Sequence, residues 1–236
     1  QLFVLDGTFQ IEGENNRVQC AFKAQGKKSM RWNGKEYKRL VDHVGKIPVA
    51  IITPTDADLV NGASDVRRRF IDSAISQLDR GYMEELMRYN RALLQRNAQL
   101  KQFATSGTFN SDSLAVWDMQ LVASSEHIFE KRRDFLLELI PLSNRIYAQI
   151  SDNKEDIGLE YRSQLLENPL EKLLEESLLK DRMAKHTTVG IHRDDVLLPI
   201  HDQPLKRFGS QGQQTSALIA LKLAQLGAVQ VLSCLD

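Results

Sequence analysis

The sequence predicts an α/β chain, α+β by its local pattern, with a β-rich first lobe and a mainly helical second lobe that carries a small antiparallel sheet. Three observations predict it. Apolar and polar residues alternate through much of the first 53 residues. After Pro54 the apolar period lengthens to three and four residues, and strand-like runs return near residue 186.

LFVLDGTFQIEG (2–13) and RVQCAFKA (17–24) read as strands divided by the turn-prone Glu14-Asn15-Asn16. SMRWNGKEY (29–37) holds Asn33-Gly34, a strong hairpin signal. A short helix is expected over 37–44, and IPVAIIT (47–53) reads as a well-buried strand. Val66, Phe70, Ala74, Ile75 and Leu78 then recur at helical spacing, continued by Tyr82, Leu86, Tyr89, Leu93 and Leu100. Trp117, Leu121, Ile128, Phe135 and Leu139 mark a long helix ending before Pro141. Asn168-Pro169 reads as an N-cap with proline at the first helical position, ahead of Leu170, Leu173, Leu174 and Leu178. The block from about 64 to 184 is therefore mainly helical. HTTVGI, DVLLPI and LKRF read as strands, with a turn at Asp202-Gln203-Pro204. A helix after GSQGQQ (209–214) puts Ile219, Leu223 and Leu226 on one face and Lys222 and Gln225 on another. VQVLSCLD (229–236) reads as a final strand.

The chain has 236 residues, 42% hydrophobic and 26% charged, which fits a folded globular protein and excludes dominant disorder. No apolar run has the length of a membrane span, and the opening QLFVLDGTFQ lacks the pattern of a secretory signal. Cys20 and Cys234 form no CxxC pair, so a zinc ribbon or thiol redox site is not expected, and a cytoplasmic location is. The formal net charge is zero, yet residues 27–46 carry seven basic and two acidic residues, and residues 152–181 nine acidic and four basic. The basic stretch (Lys27, Lys28, Arg31, Lys35) and the helix positions Arg88, Arg91, Arg96 and Lys101 are candidates for neutralising DNA phosphates. No base-reading motif is present, so such binding would be sequence-independent and salt-sensitive. The alternative is a set of ordinary solvated faces.

The segment Phe208-Gly209-Ser210-Gln211-Gly212-Gln213-Gln214 carries the most chemistry. Small residues ahead of a helix leave N–H groups for an anion, the helix dipole assists, and Ser210 and Gln213 add side-chain groups. An ordinary capped helix is the other reading. No Walker A lysine accompanies it. Arg67-Arg68-Arg69 at a helix start point about 100° apart and cannot share one task. They would reach the Asp56/Asp58 loop, phosphate or nucleotide, or else pair within the helical block. His192-Arg193-Asp194-Asp195 could be taken for a metal site. Adjacent carboxylates on a strand face opposite ways, which favours structural or inter-lobe hydrogen bonding, and no metal site is expected.

These segments resemble a known family. FGSQGQ, followed by QTSALIALKLAQ, resembles the ABC-type signature motif and its helix. Pro54 to Gly62 leading to Arg67-Arg68-Arg69-Phe70-Ile71-Asp72, then YMEELMRYNRALLQRNAQLK, then Gly190-Ile191-His192-Arg193-Asp194-Asp195, resemble the RecF pattern in the right order. Ser64 and Ile191 stand where that pattern has proline. The resemblance implies a partial ABC-ATPase-like head of the SMC/ABC class. Residues 1–53 would belong to nucleotide-binding lobe I, 54–228 to lobe II, and 229–236 to a strand returning to lobe I.

It further implies an ATP-dependent, dimerising DNA clamp acting in DNA replication, gap repair and the SOS response with RecO and RecR. ATP and Mg²⁺ would be its cofactors in the intact protein. Ser210 and Gly212 would contact the γ-phosphate of ATP held by the opposite subunit, with Gly209, Gln211 and Gln213 shaping the loop. Asp56, Arg67, Arg68, His192, Arg193 and Asp194 would make inter-lobe or phosphate contacts. No Walker A loop occurs, so this chain alone is not expected to hydrolyse ATP or bind it tightly. Asp236 lies 23 residues after Gln213, a spacing compatible with a Walker B aspartate, although the acidic residue expected next and the D-loop are missing. The rival reading is a non-enzymatic SMC-like interaction module using the acidic stretch 152–181. A long-armed SMC head is disfavoured, because residues 99–151 are too short and too interrupted for such arms.

Overall fold

The computed structural model describes residues 2–11, 13–23, 26, 28–47 and 49–233. Lys27, Cys234 and Asp236 lie outside them. The chain forms two compact units, residues 1–47 and 48–236.

The first unit is an antiparallel meander of β1 (Leu2–Ile11), β2 (Glu14–Lys23), β3 (Ser29–Trp32) and β4 (Lys35–Glu36). Ile11 pairs with Glu14, so the first turn lies wholly before the expected Glu14-Asn15-Asn16 and takes in Gly13 with φ +84°. Asn15 and Asn16 instead lie in β2 opposite Gln10 and Phe9. At Asn33-Gly34 both residues take positive φ (49° and 82°), the two-residue hairpin their identities favour. The helix expected over 37–44 shrinks to a 3₁₀ turn, Leu40–His43. Lys46 sits over the Trp32 ring beside it.

The second unit is built on helices α1 (Asp58–Asn61), α2 (Ser64–Leu78), α3 (Arg80–Ser106), α4 (Ser111–Ile150) and α5 (Leu170–Ala184). Then come short strands β6 (Asp195–Leu197), β7 (Pro199–Ile200) and β8 (Gln203–Pro204), and helices α6 (Leu205–Phe208) and α7 (Gln211–Ser233). A strand that the apolar pattern did not reveal, β5 (Glu160–Arg162), pairs antiparallel with β6. The long α4 is the spine of this unit: α3 packs antiparallel to it through the Gly107 turn, and α5 and α7 lie against it. Asp79 caps α3 through the Tyr82 N–H at 2.9 Å, and Asn110 caps α4 through Ser113. The core contains Tyr82, Tyr89, Leu121, Ile128, Phe135, Leu139, Leu221 and Ala224.

Several expectations are corrected. Residues 49–53 form no strand; no strand among the described residues pairs with them, and Val49, Ile51 and Ile52 are exposed. The segment is held by side chains instead, Gln77 Oε1 accepting from Val49 N and Lys222 Nζ donating to Ile51 O. The helix α4 runs through Pro141, whose missing N–H leaves a carbonyl on an exposed face where water can serve it. Pro169 is the residue before α5 rather than its first residue, and Asn168 accepts from Lys172 Nζ at 3.0 Å. HTTVGI is a loop pinned by side chains, because Asn97 and Asp181 take its N–H groups. LKRF is the helix α6, and the turn before it lies at His201-Asp202, both at positive φ. VQVLS continues α7 with no break at Gly227, and Leu142 Cδ1 stands 3.7 Å from where a Cβ on that glycine would lie.

The phase of α7 is also reversed. Leu223 and Leu226 are exposed, whereas Lys222 and Gln225 are buried. Ala217, Ala220, Ala224 and Ala228 are each 0% exposed and form a small-residue seam, and Lys222 is neutralised by Asp56 at 3.0 Å.

Candidate functional site

The helix α7 begins where α6 ends, and Gly209 joins them. A Cβ on Gly209 would lie 2.4 Å from Leu205 Cδ1 and 2.8 Å from Leu205 O, so only glycine lets the chain turn there. Ser210 and Gln213 cap α7 reciprocally: Ser210 Oγ accepts from Gln213 N at 3.2 Å, and Gln213 Oε1 accepts from Ser210 N at 2.6 Å. Gln213 Nε2 donates to Glu155 Oε1 at 2.7 Å, and Tyr147 OH donates to the other oxygen of Glu155. Gln214 ties the loop to α1 through Asn61 Nδ2 at 3.0 Å and donates to Gly209 O at 3.1 Å.

The result is a loop tied by side-chain hydrogen bonds, whose outer members, Ser210, Gln211 and Gly212, are exposed. A Cβ on Gly212 would meet only Ser210 Oγ, at 3.8 Å. Packing does not demand that glycine, and its backbone stays approachable from outside. The first N–H groups of α7 and the helix dipole face the same space, an arrangement suited to an anion such as phosphate.

The other predicted residues gather around α2 and the loop before β6. Arg67 is held bidentately by Asp195 at 2.7 and 3.0 Å, and its Nη1 donates to the carbonyls of Leu59 and Gly62. Arg68 donates to the Asp194 carbonyl. Arg69 points outward and pairs with Asp65 on its own helix. The three arginines thus do separate tasks. Asp56 accepts from Thr53 N at 2.6 Å and pairs with Lys222. Burial alone would raise its pKa, but the Thr53 N–H and the Lys222 ammonium hold it below the usual carboxylate value.

His192 lies between Tyr89 OH (2.9 Å from Nδ1) and the Thr187 carbonyl (3.1 Å from Nε2). Burial, then the nearby Arg193 and Arg68, pull its pKa down to about 4. Asp194 is 1% exposed and accepts from Arg132 at 2.8 Å and Tyr161 OH at 2.7 Å. Burial is the largest influence on Asp194 and leaves its pKa raised. Arg193 is exposed and reaches back to the Thr188 carbonyl. No group of three or more metal-binding side chains occurs among the described residues.

Of the candidate DNA contacts, Lys28, Arg31, Lys35, Arg88 and Arg91 are exposed. Arg96 is a correction: it is 0% exposed and held by Asp118 and Asp181, each at 2.5 Å, so it is internal structure rather than surface charge.

Comparisons with known proteins bear on this geometry. No protein-family model matches the chain. The DNA replication and repair protein RecF of Flavobacterium johnsoniae is 44% identical over 225 residues, covering 95% of this chain and 63% of its own length. That of Phocaeicola vulgatus is 42% identical over 226 residues, covering 95% of this chain and 60% of its own length.

The chain is a relative of the RecF proteins.

A solved structure of the recombination mediator protein RecF with ATP, of the RecFOR pathway, superposes with a TM-score of 0.89 at 25% identity, covering 99% of this chain and 65% of that one. The mixed helix-and-sheet fold is therefore that of RecF heads. Against RecF, this chain spans less than two thirds of the length. The signature-like loop, the Arg67–Asp195 clamp and the His192–Tyr89 contact all lie within the shared part. Sequence spacing missed residues that hold these features in place, Glu155, Arg132 and Lys222, and gave Gln214 no tie to α1. Each acts on a partner distant in sequence, and only the fold brings them together.

Proposed function

We propose that this chain is the greater part of a RecF-like DNA replication and repair protein, an ATP-dependent homodimeric clamp on DNA. In it Ser210 and Gly212 contact the γ-phosphate of ATP held by the opposite copy, and Gly209, Gln211 and Gln213 shape that contact. Residues 1–53 belong to nucleotide-binding lobe I and residues 54–228 are lobe II. Residues Asp56, Arg67, Arg68, His192 and Asp194 hold lobe II in shape, with Arg193 facing outward. ATP and Mg²⁺ are bound by the intact protein, DNA is bound without sequence preference, and RecR and RecO are partners in the cytoplasm.

The observation that carries this reading is the exposed Ser210–Gly212 corner at the start of α7. It is hydrogen-bonded to Gln213, which Glu155 holds in turn, and is left open at Gly212. These residues fit the trans half of a phosphate site, where they would supply N–H and hydroxyl donors to an anion.

The test is sedimentation of the intact protein, at the length of its relatives, with and without ATP. Nucleotide should drive dimerisation, and Ser210→Arg should abolish it while leaving the monomer folded. Dimerisation by Ser210→Arg equal to that of the wild type would refute the trans role. This chain alone should show no ATP turnover, and measurable turnover would overturn that part.

A further inference from the structure

The helix α5 leaves a trough beside the first half of α4. Its cavity measures about 460 Å³ and lies between residues 111–123 of α4 and 171–178 of α5. The floor is apolar, made by Leu114, Val122, Leu174 and Leu178, and Met119 stands on its rim at 66% exposure. Ala115 and Ala123 flank Met119 and leave room for an incoming side chain. Every charged group among the lining residues is acidic: Asp118, Glu171 and Glu175. Asp118 is shared with the buried Arg96, while Glu171 and Glu175 are exposed one turn apart on α5. Arg182 stacks on the Phe109 ring at 4.2 Å and lines the neighbouring cavity instead.

We infer that this trough is a docking site for a basic amphipathic helix of another protein. The walls are helices, whose backbone groups are already paired, so an extended strand would find no ladder to join. The lining recurs at three- and four-residue steps on both helices, which matches the side chains of a helix laid between them. The acidic rim repels nucleic acid and anionic lipid, and selects an occupant with Lys or Arg beside its apolar anchors. The site is separate from the signature-like loop and does not depend on the nucleotide reading.

The test uses the full chain and a fluorescein-labelled peptide of about sixteen residues, helical, with Leu at i, i+3, i+4 and i+7 and Lys elsewhere. Anisotropy should report saturable binding, and hydrogen exchange should slow in 111–123 and 171–178. Glu171→Lys with Glu175→Lys should weaken binding roughly tenfold. Met119→Glu should weaken it at least as much. All these side chains are exposed, so the variants should keep the wild-type circular dichroism. A peptide with Glu in place of Lys should not bind. Failure of the Lys peptide to bind, equal binding of the Glu peptide, or indifference to both variants would overturn the proposal. Self-association of the chain that Met119→Glu abolishes and the Lys peptide cannot compete would assign the trough to a second copy instead.

Discussion

Arg132 of α4 clamps Asp72 of α2, donating Nε at 2.9 Å and Nη2 at 3.0 Å to its two carboxylate oxygens. The remaining nitrogen, Nη1, donates to Asp194 and to the Ile191 carbonyl, both at 2.8 Å. One buried guanidinium therefore joins α2, α4 and the loop that carries the His-Arg-Asp-Asp motif. Replacing it by Met would leave two carboxylates without their cation in a low-dielectric interior. We expect a loss of about 3–5 kcal/mol, read by urea denaturation. A double variant, Arg132→Met with Asp72→Leu, should recover part of it, because the second change removes one stranded charge. A single-variant loss under about 1 kcal/mol would show that water reaches this cluster.

His192 makes stability pH-dependent in a defined direction. Its folded-state pKa of about 4 lies below the ordinary value of 6.5. The unfolded chain therefore binds the proton more readily, and protonation favours unfolding. The contribution is fully present above pH 6.5 and is lost as pH falls through the window from 6.5 to 4. At pH 5 the loss should be about 2 kcal/mol relative to pH 7.5. His192→Gln, which keeps a polar group beside Tyr89 OH, should flatten that part of the curve. An unchanged pH profile in this variant would assign the acid sensitivity to other groups.

How much of this is legible in sequence depends on how local the cause is. The Asn33-Gly34 hairpin is decided within two residues, and the dipeptide alone finds it; the cap formed by Ser210 and Gln213 is equally local, though the sequence offers a capped helix there only as the other reading. The phase of α7 is not local. Leu outranks Ala in any hydrophobic pattern, yet Ala217, Ala220, Ala224 and Ala228 are fully buried beside Leu218 and Leu221, while the leucines at 223 and 226 face outward. Arg96 reads as surface charge, and nothing local marks Arg132 as internal, because their carboxylates, Asp181 and Asp72, lie 85 and 60 residues away. The run at 49–53 has every property of a strand except a neighbour to pair with among the described residues.

The two glycines of the signature-like loop should separate structure from function. Gly209→Ala forces a Cβ against Leu205, including its backbone oxygen, and should destabilise the chain by about 1–3 kcal/mol. Gly212→Ala adds a methyl group to open space 3.8 Å from Ser210 Oγ, inside the first turn of a helix. There it should be neutral or slightly stabilising, by up to about 1 kcal/mol. In the intact protein the order reverses for nucleotide-driven dimerisation, which Gly212→Ala should impair without loss of stability. Thermal denaturation and sedimentation of the same two variants measure both sides of this.

Arg88 and Arg91 lie three residues apart on α3 and both are exposed, with Arg88 paired to Glu85 at 2.6 Å. Three-residue spacing puts them on one face, where they can meet neighbouring phosphates together. Reversal of both to Glu in the intact protein should weaken duplex binding at every sequence tested. It should also make the slope of log K against log salt shallower, by roughly 0.9 for each phosphate no longer neutralised. Arg96→Glu makes the contrast. It should unfold the helical unit before it can affect DNA, because Arg96 sits inside the pairing with Asp118 and Asp181. A salt slope equal to that of the wild type in the Arg88/Arg91 variant would remove this face of α3 from the DNA path and leave the exposed Lys28, Arg31, Lys35 and Lys101 among the remaining candidates.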